Sequence, residues 1–248
     1  MGQIIAVVSG KGGTGKTSFT ANTALALAHM GQRVLCLDCD ITLRNLDLAL
    51  GLSDMALMDF TDVAQGRCSL ESAIVSQPDI PGLYLLTAPM RVRGRMVTEA
   101  EMTALLQQIR QKFDYCLLDA PAGLDIGFRL STCAADRCIV VTTSDATSLR
   151  DAQHTVMELN RFRNGTLHLV VNRVRKKLLR SMHATIDDAI DKAGLPLLGV
   201  VPEDDYLPLS MNQNIPLLLR YRRDGATAAY RNIAIRLQGG RAPLLRIK

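Results

Sequence analysis

The chain has 248 residues, 48% of them hydrophobic and 21% charged, enough to bury one sizeable core and in the range where α/β folds are commonly single domains. Aromatics are only 4% and tryptophan is absent, so the core is expected to rest on Leu, Ile, Val, Ala and Met. A net charge of +5 permits contact with anionic lipid or nucleic acid without requiring either, and a solvated basic surface also accounts for it.

In chain order, residues 4–9 form an apolar run that predicts a strand. Residues 16–30 carry helical periodicity and stop at Gly31. Strands are expected over 33–39, 83–87 and 115–119, with a helix over 98–112 between the last two. Residues 138–143 predict another strand, followed by a helix over roughly 148–161. The alternation continues with a strand at 167–172, a helix near 181–192, a strand at 197–201 and a last helix over 225–237. Several of these strands are continuous apolar runs, as expected when both faces are covered. Repeated strand–helix–strand order predicts a three-layer α/β domain with a mostly parallel sheet, whose ligands sit beyond the carboxyl ends of the strands. Segments 41–80 and 88–97 are the least regular. Their charges, among them Arg44, Asp47, Arg91, Arg93 and Arg95, read as surface loops near the site or as plain solvated loops.

The apolar run 4–8 is too short for a secretory leader, and no stretch approaches the roughly 18–20 apolar residues of a membrane span. The expected location is the cytosol. Of six cysteines, Cys36 and Cys39 have CxxC spacing but lie on an expected strand, where residues three apart face opposite sides. Reduced structural thiols are the expectation. His29, His154, His168 and His183 form no triad.

Residues Gly10-Lys11-Gly12-Gly13-Thr14-Gly15-Lys16-Thr17 fit G-x-x-x-x-G-K-[ST] between an expected strand and an expected helix, the context that supports a phosphate loop. Glycines let successive backbone N–H groups point at phosphate oxygens, and the helix behind, beginning with Lys16, Thr17 and Ser18, adds the positive end of its dipole. Lys16 reaches the β- and γ-phosphates, and the Thr17 hydroxyl suits magnesium, which prefers oxygen ligands. ATP with Mg²⁺ is therefore the expected ligand. The strand at 33–39 ends in Asp38 and Asp40. Carboxylates there suit magnesium-water coordination and placement of the attacking water, or they satisfy loop N–H groups. Asp119 closes the apolar run 115–119, the Walker B arrangement for a magnesium carboxylate.

Lys11 directly after Gly10 makes the loop KGGTGKT, which resembles the deviant Walker A motif of the MinD/ParA family of ATPases. The resemblance extends over Asp38-Cys39-Asp40-Ile41-Thr42-Leu43-Arg44-Asn45-Leu46-Asp47, similar to a switch I region, and Asp119-Ala120-Pro121-Ala122-Gly123, similar to a switch II signature. It also takes in Ser148-Leu149-Arg150-Asp151 and Gly199 to Asp204, and runs from Ile4 to about Tyr230. These stretches tilt toward the MinD branch. The resemblance implies a P-loop NTPase fold over 1–238, an ATP-dependent homodimer and ATP hydrolysis. Lys11 would reach the phosphates of the partner subunit, Asp40 would orient or deprotonate the water, and Asp38 would support it. Arg44, Asp119, Gly123 and Asp151 would serve the switches and the interface. Asn172, with Arg173, and the loop Pro202-Glu203-Asp204 would meet the base. It also implies an activating or effector protein, a role in cell-division site placement, and contact with an anionic membrane. The tail 239–248 departs from the family's amphipathic helix: Gly239-Gly240-Arg241-Ala242-Pro243 breaks any helix, and only a short basic-apolar end follows. That end reads as a weak membrane contact at the inner face of the cell membrane or as a flexible terminus. A ParA-like DNA-partitioning or flagellar-placement ATPase, an iron–sulfur carrier and a nucleotide-binding non-hydrolase remain as alternatives.

Overall fold

The structure, a computed structural model, describes residues 1–245 apart from 42, 92–94, 164 and 221–223. Thr42, Arg93 and the last three residues of the tail thus lie outside the described residues. In chain order the first half comprises β1 (Gln3–Val8), α1 (Lys16–His29), β2 (Val34–Asp38), α2 (Leu46–Leu50), α3 (Phe60–Ala64), α4 (Leu70–Ala73), β3 (Val75–Ser76), β4 (Leu83–Leu86), α5 (Glu99–Lys112) and β5 (Tyr115–Asp119). The second half comprises α6 (Ile126–Thr132), β6 (Arg137–Thr142), α7 (Ala146–Glu158), β7 (Leu167–Val174), α8 (Lys176–Ser181), α9 (Ile186–Ala193), β8 (Leu197–Pro202), α10 (Tyr206–Asn212), α11 (Leu217–Arg220) and α12 (Gly225–Leu237).

The eight strands form one sheet in the order β3-β4-β2-β5-β1-β6-β7-β8. Every pairing is parallel except the short edge pair of β3 with β4. Both faces are covered. Ile4, Ala6 and Val8 join one core cluster, with residues of α5, α7 and α9, while Ile5 and Val7 join a second, with residues of α1, α2 and α12. Alternation along each strand therefore buries both sides, which is why β1, β2 and β5 read as unbroken apolar runs. Each fully buried Leu or Ile contributes about 1.5–3 kcal/mol relative to exposure.

β1 lies between β5 and β6, neither of which follows it in sequence. This is the point where a parallel sheet opens a crevice at its carboxyl edge, and the glycine-rich loop 10–15 occupies it. The tail departs from the flexible-terminus reading as far as Leu245. Arg236 donates to the carbonyls of Ala242 and Leu198, Asn232 donates to that of Pro243, and Leu245 packs against the core cluster of α1 and α12. The expected helix at 181–192 resolves into α8, which ends at Ser181, and α9, which starts after the Thr185 capping box with Asp188.

Candidate functional site

The loop leaves β1 at Ser9 and enters α1 at Lys16. Gly15 has φ +86°, a conformation costly for any residue with a Cβ. A Cβ there would also stand 2.4 Å from the Asn172 amide nitrogen. Gly10 meets a second constraint, because a Cβ would lie 2.5 Å from the backbone oxygen of Asp151 on α7. The loop is thus pressed between β7 and α7, and its shape is set by close approach on both sides.

Lys16 is buried, 8% exposed, and donates to the Ser9 hydroxyl at 2.8 Å. That hydroxyl donates in turn to the Lys11 carbonyl at 2.8 Å. Burial lowers the Lys16 pKa, and the Asp119 and Asp40 carboxylates oppose that fall, so an ammonium is held beneath the loop with acid on its β5 side. The Thr17 hydroxyl donates to Asp119 at 2.6 Å and Thr20 donates to the other Asp119 oxygen at 3.3 Å. Oxygen donors from α1 and the end of β5 therefore meet at one point, a hard set that fits Mg²⁺ together with phosphate and water oxygens.

Asp38 and Asp119 are register partners on β2 and β5. Burial raises the pKa of both, and for Asp38 the neighbouring Asp119 adds to the rise. Asp38 accepts from the N–H groups of Asp40 at 2.9 Å and Leu46 at 3.3 Å. It thus serves the loop backbone, the alternative left open by the sequence. The strand expected over 33–39 closes at Asp38, so Asp40 lies in the loop beyond β2 rather than on the strand. Asp40 accepts from the Leu43 N–H at 3.1 Å. Arg44 pairs with Asp47 at 3.4 Å and is mostly buried, turned onto the first turn of α2 rather than outward. Gly123 has φ +90° and open space where a Cβ would stand.

On the other side of the loop, Lys11 donates to Thr147 at 3.1 Å and to Asp145 at 3.5 Å, with 41% of its side chain exposed. Asp145 caps α7 through the Ser148 N–H and accepts from the Thr143, Thr147 and Ser148 hydroxyls. Burial works against the charge, yet these donors hold the carboxyl well below its usual range. Sequence reasoning missed Asp145 because it started the helix at 148. The helix begins at Ala146, so Asp151 lies in its second turn rather than at its start. The Thr143-Ser144-Asp145 run before an apolar-periodic stretch is the cap signal that was there to be read.

A cavity of about 210 Å³ opens beyond Gly15, lined by Ser18, Asn172, Leu207, Pro208 and Met211 among others. The Asn172 amide nitrogen donates to the Thr14 carbonyl at 2.8 Å, with Gly15 O at 3.5 Å. Both partners are acceptors only, which fixes the amide orientation. It leaves Oδ1 buried without a partner, an acceptor placed to take an exocyclic amino group. Pro202 was expected against the base, but it ends β8 opposite Val174 and Pro208 of α10 stands in the wall instead. Asp204 accepts from the N–H groups of Tyr206 and Ala226, and together with Arg173 and Glu203 it lines the same cavity. No strong periodic signal marks α10, and its Pro208 argued against a helix in the sequence. Glu203 pairs with Arg173 at 2.9 Å and Arg175 at 3.3 Å.

The family model described as the ParA group's NUBPL iron-transfer P-loop NTPase matches residues 1–238. The septum site-determining protein MinD of Synechocystis is 37% identical over 246 residues, covering 99% of this chain and 92% of that protein. The chain belongs to the MinD/ParA family of P-loop NTPases. Among solved structures, the MinC:MinD cell division protein complex of Aquifex aeolicus superposes with a TM-score of 0.91 at 32% identity, covering 99% of each chain. The septum site-determining MinD of Pyrococcus horikoshii, complexed with Mg-ADP, gives 0.82 at 30% identity and 96% of each chain. The family's iron-transfer members raise the question of the CxxC pair. Here Cys36 packs in the core cluster of α1 and Cys39 in that of α5, and burial pushes both thiols up, so the pair does not converge on a common ligand.

Proposed function

We propose that this protein is a MinD-like switch ATPase of division-site placement that splits ATP into ADP and phosphate. The observation that carries the reading is the Thr17–Asp119 contact beside a buried Lys16, in a chain related to MinD proteins over nearly its whole length. The β- and γ-phosphates lie in the loop's N–H nest, with Lys16 supplying positive charge where negative charge builds in the transition state. Thr17 and Asp119 hold Mg²⁺, directly or through water, and the metal supplies charge neutralisation between phosphate oxygens. Asp40, in the loop beyond β2, positions the attacking water. The adenine enters the cavity beyond Gly15, where Asn172 Oδ1 accepts from its amino group and would face a carbonyl oxygen in guanine.

Lys11 and the apolar loops near it serve an ATP-dependent homodimer, in which Lys11 leaves Asp145 and Thr147 for the phosphates of the partner subunit. An effector or activating protein reads that dimer, as the MinC:MinD complex of Aquifex illustrates for its own chain. Among the described residues no helix is long and apolar enough to cross a membrane. A peripheral contact with anionic membrane through the tail belongs to the same reading. DNA is the less supported surface, since the curated relatives matched are division-site proteins.

Phosphate release is the direct test. Wild type is expected to turn over slowly with ATP and Mg²⁺, Lys16→Ala to lose about 10²-fold or more, and Asp40→Ala to retain ATP binding without turnover. Wild-type release no faster than that of Asp40→Ala would remove the hydrolase reading. Lys11→Ala is expected to bind ATP as a monomer by sedimentation velocity. Cosedimentation with phosphatidylglycerol vesicles under ATP and ADP separates a membrane role from a DNA role, the latter read by salt-sensitive binding to nonspecific duplex.

A further inference from the structure

β7 does not end as an ordinary strand. Its pairing with β8 shifts register between Val171 and Val174, and Arg173 has φ +54°, an uncommon and strained conformation for a residue with a long side chain. In a regular strand Asn172 and Arg173 would point to opposite faces. Here both reach the phosphate loop. Asn172 Nδ2 donates to the carbonyls of Thr14 and Gly15, and Arg173 Nη1 donates to that of Gly13 at 3.0 Å. Three successive loop carbonyls are held by two successive side chains.

A carbonyl held from outside fixes the peptide plane on which it sits, and with that plane the direction of the next N–H. The same peptide planes carry the N–H groups of Thr14, Gly15 and Lys16 that would face phosphate. Gly13 has φ +79° and open space where a Cβ would stand. The Arg173 guanidinium is in turn held by Glu203 in a two-point pair at 2.9 and 3.0 Å, with Arg175 adding a third contact to the same carboxylate at 3.3 Å. That pair raises the Arg173 pKa and lowers that of Glu203.

We propose that Arg173 is a positioning residue for the phosphate loop rather than a base contact, and that Glu203 acts through it by holding the guanidinium against Gly13. The clamp preforms the N–H nest before nucleotide arrives, so its loss weakens binding of the polyphosphate and leaves the chemical step intact. The strained backbone at Arg173 is the local cost of turning two neighbouring side chains onto one loop. The inference rests on the reading of the loop as the ATP phosphate site.

The test uses the full chain with Glu203→Gln and Arg173→Lys, each checked for an unchanged melting curve. The first removes the two-point partner. The second keeps the charge but replaces a planar fork by a point donor that cannot serve Glu203 and Gly13 together. Affinities for Mg-ATP and for inorganic tripolyphosphate are measured, with KM and kcat for ATP. The expected result is a loss of about tenfold in affinity for both ligands, matching the net worth of a charge-assisted hydrogen bond, with KM raised and kcat within twofold of wild type. A loss confined to ATP, with tripolyphosphate unchanged, would make Arg173 a base contact and overturn the proposal. Unchanged affinity for both ligands, or a fall in kcat at constant KM, overturns it as well. Wild-type protein that binds neither ligand would instead refute the nucleotide reading itself.

Discussion

The carboxyl edge of the sheet has two unlike halves on either side of the phosphate loop. Toward β6, β7 and β8 the residues are polar and mutually held: Asp145 by three hydroxyls and an N–H, Asn172 by loop carbonyls, Arg173 and Arg175 by Glu203. Toward β5, β2 and β4 the loops carry large exposed apolar side chains, namely Leu43, Met55, Leu57, Met58, Met90, Leu124 and Ile126. A monomer gains nothing by exposing such residues together. The difference teaches that one half presents groups already held around the proposed nucleotide site, while the other presents exposed apolar side chains beside the acids Asp38, Asp40 and Asp119, where the proposed homodimer would find its contact surface. Changes in the held half should therefore be felt as lost nucleotide affinity, and changes in the exposed half as lost assembly.

The largest effect is expected from Gly15→Ala. A methyl at φ +86° and 2.4 Å from Asn172 must either open the loop or displace the clamp, so ATP binding should vanish in titration calorimetry while the melting curve stays within a few degrees of wild type. Retained binding would show that the held half is softer than its contacts imply. Asp119→Asn comes next. It keeps the shape at the end of β5 but removes the charge facing Thr17, and the Mg²⁺ concentration needed for half-maximal ATPase is expected to rise about tenfold or more, in line with the weight of a metal-held carboxylate.

The carboxyl edge of the sheet was only partly legible in the sequence. The glycine spacing, Lys16, Thr17 and Asp119 stood out because a phosphate loop needs particular residues at a fixed spacing next to a strand. Asp145 and Pro208 did not stand out: Asp145 precedes the helix start that was read at 148, since α7 begins at Ala146, and α10 is too short for a strong apolar period. The bulge at Asn172 and Arg173 is likewise invisible in the apolar run of β7, since register depends on the partner strand β8. The short helices α2, α3 and α4 fell in a segment read as irregular because none reaches two full turns, too short for periodicity to be seen. By contrast α12 was read at its observed bounds. Asp224 and Gly225 mark its start and Gly239 closely follows its end.

Asn172→Ala sharpens the held half further. The variant loses both the grip on Thr14 and the free Oδ1 acceptor. ATP affinity is expected to fall about tenfold, and preference for ATP over GTP in competition to shrink, because the guanine carbonyl no longer meets an unpaired acceptor. Arg236→Ala probes the far end of the same half, where the tail covers the β8 edge. The guanidinium holds the Ala242 and Leu198 carbonyls. Its loss should cost about 1–3 kcal/mol, lowering Tm by several degrees at this chain length, and freeing the apolar Leu244 and Leu245 for vesicle contact. If vesicle cosedimentation rises in Arg236→Ala even with ADP, the tail is stowed in the folded chain. If it is unchanged, the tail is an edge cover and no anchor.

The smallest effect on stability, and the sharpest on the comparison, is expected from Leu57→Asp. Leu57 is 94% exposed, so a carboxylate there costs little in the monomer, within about 0.5 kcal/mol as for other surface changes. ATP affinity should stay at the wild-type value, because no part of the nucleotide cavities is built from this loop. In an apolar contact between two chains, however, the same carboxylate is buried on association, which costs several kcal/mol unless a cation meets it. Sedimentation velocity with ATP is therefore expected to show a monomer at concentrations where wild type is expected to form the proposed dimer, and turnover should fall with it. A dimer of wild-type strength would place the contact surface elsewhere on the carboxyl edge and leave these exposed side chains without the role their clustering implies.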